Sequence, residues 1–429
     1  MGDDEIVPIK RIKKRLKAPL FLERKPFMRK QGILIILTTL SLLLTGCWSR
    51  VEVNDIAIVT AVAIDKLSDG NIRIALQVPI PMRLGPIGAS GGGGGGGNEM
   101  TLLVSEAGET VLDAYRRLQK KVSRRIFFSQ NRVLIIGEKA ARDGVFPILD
   151  YFSRGRGARL RGLILFSKGE AAPLLKLTPK LERYNAEVIR EEENERVGLR
   201  IMQKDFIDML TTEGISPVAA RVEERPEEIK GEQYSLRNMP SDKERLTPAI
   251  VGAAVFHQDK LVGWMNDEET RGILWLRNEL KTAIITVNIP KEKGGGKISA
   301  MLIREKTKVK PILMGNKVKM EVNIHAENEI HENGSKLDLG DPKVLEYVQT
   351  LLEKDVKERI QLALHKAQKQ LNCDIFGFGN AVYRTYPKVW KKQFKNRWDD
   401  VFPNLEVKIN PHVTVVRTGL SSKTPEMRD

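Results

Sequence analysis

The residue whose type and setting point most directly to covalent chemistry is Cys47. It closes the string Leu44-Thr45-Gly46-Cys47. A cysteine thiolate is a soft nucleophile that an electrophilic lipid can alkylate, and the small residues Thr45 and Gly46 suit a narrow peptidase cleft cutting just before it. Ahead of the string lies an apolar run of twelve residues, Ile33 to Leu44, which follows the basic pair Arg29-Lys30. A positive start, a short apolar middle and small residues at the cut make the layout of a secretory signal. A spanning helix needs about 20 apolar residues, so this run is the length of a signal rather than of a membrane helix. The competing reading is a buried hydrophobic element that happens to end in Cys.

Leu44-Thr45-Gly46-Cys47 resembles the bacterial lipobox. That resemblance implies a diacylglycerol on Cys47, cleavage between Gly46 and Cys47, and an extracytoplasmic chain tethered to a membrane from Cys47 onward. Residues 1–46 then form the signal with a basic N-terminal extension; either Met1 to Phe27 is a long positive region, or the signal starts at Met28. The second cysteine, Cys373, is left alone, with no intrachain disulfide, and reads as a small packed hydrophobe.

Other residues that carry chemistry read more plainly as structure. Asp267, Glu268 and Glu269 sit together, but no general acid, nucleophile or histidine cluster joins them; Asp267 reads as the cap of a helix with Glu269 and Thr270 in its first turn. His325 and His331 are six apart near a strand end, a spacing that zinc could use and that surface histidines also show. Gly91 to Gly97 is an unbroken glycine run. It lacks the fixed spacing and following Lys of a phosphate cradle and reads as a flexible loop over 86–98. No catalytic residue, cofactor or metal site is expected.

With 71 Lys and Arg against 55 Asp and Glu, the chain carries a net charge of +16. Residues 1–46 hold ten basic and four acidic residues, so the part after the cut carries +10. That balance suits an anionic bilayer or wall polymer. Nucleic acid is disfavoured, since no zinc-ligand, helix-turn-helix or aromatic-platform motif is present.

The elements that position these residues follow from periodicity. Ile56 to Ile64 and the alternating Ile72 to Pro79, joined across Ser68-Asp69-Gly70, predict a hairpin. Met100 to Ser105 predicts a strand, Glu109 to Ser123 a helix, Arg132 to Gly137 a short buried strand, Lys139 to Phe152 a helix and Leu160 to Phe166 a strand. Charge-rich Tyr184 to Gly198 reads as a surface helix or connector, Met202 to Leu210 as a short helix, and Glu223 to Arg245 as a loop. Thr247 to His257 with Lys260 to Trp264 predicts a second hairpin. Ala283 to Ile289, Ile298 to Lys306 and Val318 to Ile330 predict a last sheet. A long helix runs from Asp341-Pro342 through Leu371, a second helix spans Ala381 to Phe394, and Leu405 to Arg417 is a final strand. The fold class is α+β, with mixed sheets packed by helices in several domains: 47–190, 191–280 and 281–420, then a tail over 421–429.

Several strings resemble a known family. Cys47-Trp48, Arg50, Glu52, Asn54-Asp55-Ile56-Ala57-Ile58-Val59 and the Ile64-Asp65 that follows resemble the start of mature Ger(x)C proteins, the lipoprotein C subunits of spore germinant receptors. The string around Asn266 to Leu276 is similar to theirs. So are Asp374-Ile375-Phe376-Gly377-Phe378-Gly379, Tyr386-Pro387, Trp390, Trp398, Phe402-Pro403, and Arg417 with Gly419. The family's Arg-Asp-x-x-x-Arg string is matched by Arg154 and Arg159, with Gly155 at the Asp position. The resemblance implies three mixed α/β domains and a non-catalytic subunit at the outer side of the inner spore membrane. It also implies A and B membrane subunits as partners in nutrient-triggered germination. A stand-alone extracytoplasmic substrate-binding lipoprotein is the alternative, and an exported hydrolase the third reading. Neighbouring genes for A- and B-type subunits, or for a transporter, would separate the first two, and turnover by a purified ectodomain the last.

Overall fold

The computed structural model describes residues 34, 38, 52–80, 100–155, 159–177, 185–194, 198–226 and 246–419. Gly46, Cys47, the glycine run 91–97, the tail 421–429 and all of the signal segment but Leu34 and Thr38 lie outside the described residues. So do residues 156–158 and 227–245.

The first half of the chain runs β1 (Ile56–Ile58), β2 (Ala61–Lys66), β3 (Ile72–Pro79), β4 (Thr101–Gly108), α1 (Val111–Gln119), β5 (Arg125–Phe127), β6 (Val133–Gly137), α2 (Glu138–Asp143), α3 (Phe146–Arg154) and β7 (Leu163–Ser167). It continues with α4 (Asn185–Asn194), α5 (Gln203–Thr211), β8 (Val218–Pro226), β9 (Leu246–His257), β10 (Lys260–Met265) and α6 (Asp267–Arg277). The remainder is β11 (Ile284–Asn288), β12 (Lys297–Met314), β13 (Lys317–Asn333), α7 (Pro342–His365), α8 (Phe378–Thr385) and β14 (Glu406–Arg417).

Among the described residues these strands form three sheets, of mixed α/β character as expected. An eight-stranded sheet has the order β10-β9-β8-β7-β6-β2-β3-β4. Its central strands β2, β6, β7 and β8 are parallel, and the outer ones pair antiparallel. β6 and β7 are buried at every position, which is why they read as short unbroken apolar runs: a parallel strand with both faces covered has no solvent side. The eight strands come from both sides of residue 190, so the expected parts 47–190 and 191–280 share one sheet. A four-stranded sheet, order β11-β12-β13-β14, follows, and β1 pairs β5 in a small parallel ladder.

In β13 the positions from Val318 to Ile330 alternate buried and open, as a half-buried strand should. α7 lays its stripe of Val348, Leu352, Val356 and Ile360 into the core. It also closes the edge of the sheet: Gln349 and Glu353 accept backbone N–H groups of Val415 (2.8 Å) and Val413 (3.0 Å) on β14. An open row of donors that would template another strand is thereby filled. α6 packs on α7 at Gly272, where a Cβ would lie 2.5 Å from Ala363 Cβ and from the Arg359 carbonyl oxygen.

Several elements differ from the periodic reading, each for a local reason. The helix expected over Lys139 to Phe152 is two helices. Gly144 breaks it at φ +135°, where a Cβ would meet Asp259 Oδ2 at 2.7 Å. Ile56 to Ile64 is likewise two strands, β1 on β5 and β2 on β6. The helix expected to run to Leu371 is α-helical to His365, then takes one wider π turn and stops at Asn372, φ +49°. β12 extends past Lys306 to Met314 and turns into β13 through Gly315-Asn316; the positive φ of Gly315 suits the first position of a tight hairpin turn.

Candidate functional site

The most elaborate polar arrangement surrounds Asp374, in the loop between α7 and α8. The carboxylate is buried, and Oδ1 accepts the backbone N–H groups of Phe376 (3.2 Å), Gly377 (2.9 Å) and Phe378 (3.1 Å). Oδ2 accepts Gly379 N–H (2.7 Å) and the Trp398 indole N–H (3.0 Å). The loop can curl this way because Gly377 has φ +78° and because Gly379 leaves room: a Cβ there would lie 2.8 Å from the Trp398 ring. Burial pushes the Asp374 carboxyl up to about 6, against the pull of its donors.

This loop is tied to the end of α5. The Asp374 carbonyl accepts Ser216 N–H at 2.7 Å, and Asn380 N–H donates to Gly214 O at 2.8 Å. Gly214, φ +74°, faces Gly379 backbone to backbone. Glu213 accepts the Trp390 indole N–H at 2.9 Å and pairs with Lys395. Every strong acceptor here is spent on a donor of the protein, so what the site does chemically is hold backbone in place. Aromatic packing continues it, with Trp390 against Trp398 at 5.3 Å between centroids and Phe376 against Phe378 at 5.2 Å.

A second buried carboxylate, Asp65 at the end of β2, works in the eight-stranded sheet. It accepts Ala171 N–H (2.6 Å) and Ala172 N–H (3.0 Å) and pairs with Arg73 at 3.0 Å. Arg73 also pairs with the more open Glu170 at 2.7 Å. Gly137 makes room for this: a Cβ would lie 2.2 Å from Asp65 Oδ1.

The residues singled out in sequence fall as follows. The cap of α6 is Asn266, one residue before the expected Asp267. Its Oδ1 accepts Glu269 N–H, and Glu269 accepts Asn266 N–H, both at 2.8 Å. Glu268 is exposed beside them. His325 and His331 are exposed on β13, and the His325 ring lies 5.8 Å from that of His412 on β14. Among the described residues no three His, Cys, Asp or Glu gather as a metal site. Cys373 is buried, which pushes its thiol up to about 12. Arg154 pairs with Asp150 on its own helix at 2.7 Å, and Arg159 lies in a different cleft, so the two are not brought together. Asp65 and Asp374 both stand in strings that resemble the family, but their roles as buried acceptors are not legible there, although Asp374 heads a string of two Phe and two Gly whose composition marks a tight loop.

Two family profiles match this chain. One described as spore germination protein N-terminal domain covers residues 49–224, and one described as spore germination B3/GerAC like, C-terminal, covers 251–419. The putative spore germination protein YfkR of Bacillus subtilis (strain 168) is 33% identical over 384 residues, 89% of this chain and 95% of its own length. The chain belongs to the GerAC-like spore germination family. Spore germination protein KC of the same organism is 28% identical over 404 residues, 92% of this chain and 97% of its own. The crystal structure of the GerBC protein has the same fold, with a TM-score of 0.51 at 19% identity over 83% of this chain and 96% of that one. In this family member the strings around Asn266 and Asp374 serve a helix cap and a backbone cradle.

Proposed function

We propose that this family member is the lipid-anchored C subunit of a nutrient germinant receptor. It sits on the extracytoplasmic side of the inner spore membrane with A- and B-type membrane subunits as partners. A diacylglycerol on Cys47, exposed by cleavage after Gly46, holds it there, and it works without catalysis by keeping its partners in a signalling-competent assembly. The observation that carries this reading is where the family's profile begins. The N-terminal profile starts at residue 49, two residues after Cys47, so the part of the chain that the two profiles describe lies within the part that cleavage would leave. Among the described residues no helix is long and apolar enough to cross a membrane. Two or three acyl chains anchor stably where one is marginal, and the tether raises the local concentration beside membrane partners.

The test has two arms. Cys47→Ala is expected to abolish lipid labelling and move the chain out of the membrane fraction; unchanged labelling and retention would sink the anchor. Deleting the gene is expected to abolish the response to one nutrient while the A and B subunits are still made. A full response without this chain, or a purified chain that turns over a substrate, would sink the subunit reading.

A further inference from the structure

Because β2, β6 and β7 run parallel, their starts share one end of the eight-stranded sheet: Thr60-Ala61, Arg132-Val133 and Gly162-Leu163. The two strands of the small ladder reach that end by unequal paths. β1 connects to β2 through residues 59–60, whereas β5 connects to β6 through residues 128–132. The longer path bulges and is pinned at its base: Val59 N–H donates to Phe127 O and Arg132 N–H to Thr60 O, both at 3.0 Å. Beside the bulge opens a cleft of about 390 Å³ whose lining includes Arg132, Arg159, Arg161, Arg190 and Arg200. Gly162 lets its walls close, since a Cβ there would lie 3.0 and 3.2 Å from the carbonyl oxygens of Asn131 and Arg132.

The cleft holds more cations than anions, although Asn131 Oδ1, in its lining, is a buried acceptor with no donor among the described residues. Glu187 stands 3.6 Å from Arg132 and Glu191 pairs with Arg190, two carboxylates against five guanidiniums. Arg159, Arg161 and Arg200 are exposed at the mouth and form no ion pair among the described residues. Deeper in, Arg190 Nε is buried with no hydrogen-bond acceptor among the described residues, and Arg132 Nη1, also buried, reaches only the Glu187 carboxylate at 3.6 Å, beyond hydrogen-bond length. Beside Gly162 but outside the cleft lining, Nε2 of Gln203, a residue 1% exposed, is also buried without an acceptor, 2.9 Å from where a Gly162 Cβ would be. Buried donors left unpaired are costly, and guanidinium forks match the oxygens of a phosphate.

We propose that this cleft binds a phosphate oxyanion presented by the headgroup of an anionic membrane lipid. The lipid source is favoured by the chain path. Arg132 is bonded to the carbonyl of Thr60, thirteen residues from Cys47, a span of at most about 45 Å of extended chain. The source of the phosphate rests on the lipid-anchored reading; the oxyanion site does not. Bound this way, the subunit would present one fixed side to the bilayer instead of swinging on its tether.

The experiment uses the full-length chain with three probes: glycerol 1-phosphate, vesicles of phosphatidylcholine, and the same vesicles containing phosphatidylglycerol. The readout is the preference for phosphatidylglycerol, so insertion of the apolar N-terminal run cancels. Arg161→Gln with Arg200→Gln, both exposed, is expected to weaken the preference about twenty-five-fold, roughly fivefold for each arginine. Arg161→Lys with Arg200→Lys keeps the charge and is expected to lose much of it too, because the fork geometry is gone. Lys306→Gln with Lys308→Gln on β12 is expected to leave it intact, and glycerol 1-phosphate is expected to compete. An equal loss in the β12 pair would show diffuse charge and overturn the site. Binding of glycerol 1-phosphate without any phosphatidylglycerol preference would overturn the lipid source, and binding of neither probe would overturn the whole proposal. Lipid labelling at Cys47, read in the same samples, reports on the anchor separately; a preference that persists without labelling supports the cleft and removes the anchor.

Discussion

Asp65 and Asp374 are equally hidden from water, 2% and 3% exposed, yet their charges are met differently. Asp65 has a cation. Arg73 links it to Glu170, which stands more than half in solvent, so the charge is passed outward along an ion-pair chain. Asp374 is met by four backbone N–H groups and one indole, and among the described residues no cation is bonded to it. The first carboxylate ties one side chain, Arg73 on β3, to one loop, that of Ala171 and Ala172. The second determines the path of a whole loop, because its donors are consecutive residues of that loop. A nest of this kind gives geometry without neutralising the charge, and burial pushes the Asp374 carboxyl up to about 6 against the pull of those donors.

The sharpest way to break this contrast is Asp374→Ala. It strands five donors in a buried place and is expected to cost about 4 kcal/mol, read as a lowered midpoint of unfolding in denaturant. A loss below about 1 kcal/mol would mean the loop holds its path without the carboxylate. Next comes pH. The folded-state value of about 6 stands above the unfolded 3.8, so between the two the folded chain holds the extra proton. Stability therefore falls as pH rises from about 4 to about 6, by up to roughly 3 kcal/mol, and this contribution is flat above that window. Glu305, pushed up to about 8 by burial, adds a fall of the same sign that continues to higher pH. The measurement is thus the difference between wild type and Asp374→Asn, which should erase the part below pH 6 and leave the rest. The smallest expected effect is Arg73→Gln, about 1–2 kcal/mol, since Asp65 keeps its two backbone donors and Arg73 is a quarter exposed. A loss as large as that of Asp374→Ala would show that Asp65 depends on its cation far more than its geometry indicates.

Much of the architecture is legible in sequence because burial leaves periodic traces: the unbroken runs of β6 and β7, the alternation of β13, the stripe of α7. What was missed has no such trace. β8 is Val218–Pro226, with Arg221, Glu223, Glu224 and Arg225 in it; local composition reads partly as loop, and only its place between β7 and β9 makes it a strand. The cap of α6 is Asn266 and not the expected Asp267: both residue types are good caps, and the three-residue spacing to Glu269 is what selects Asn266. Nothing local to Asp374 marks its role, because its partner Trp398 is brought to it by tertiary packing. The arginines of the cleft are scattered from residue 132 to residue 200 and meet only through the parallel register of β6 and β7.

The two sheets also differ in how soon they can form. β12 and β13 are joined by two residues and pair along almost their full length, so little loop-closure entropy stands in the way and the hairpin can zip within microseconds. β2 must find β6 across the whole of β3, β4, α1 and β5, and the sheet is finished only when β9 and β10 have arrived. Such non-local pairing is slow. A chain threaded out N-terminus first would deliver its slow half before its fast half exists. The apolar strands β2, β6 and β7 would then wait unpaired in the interval, where strand edges are most prone to aggregate. Folding of this protein in its compartment would accordingly be limited by how that first half is kept apart from its neighbours until the last strands emerge.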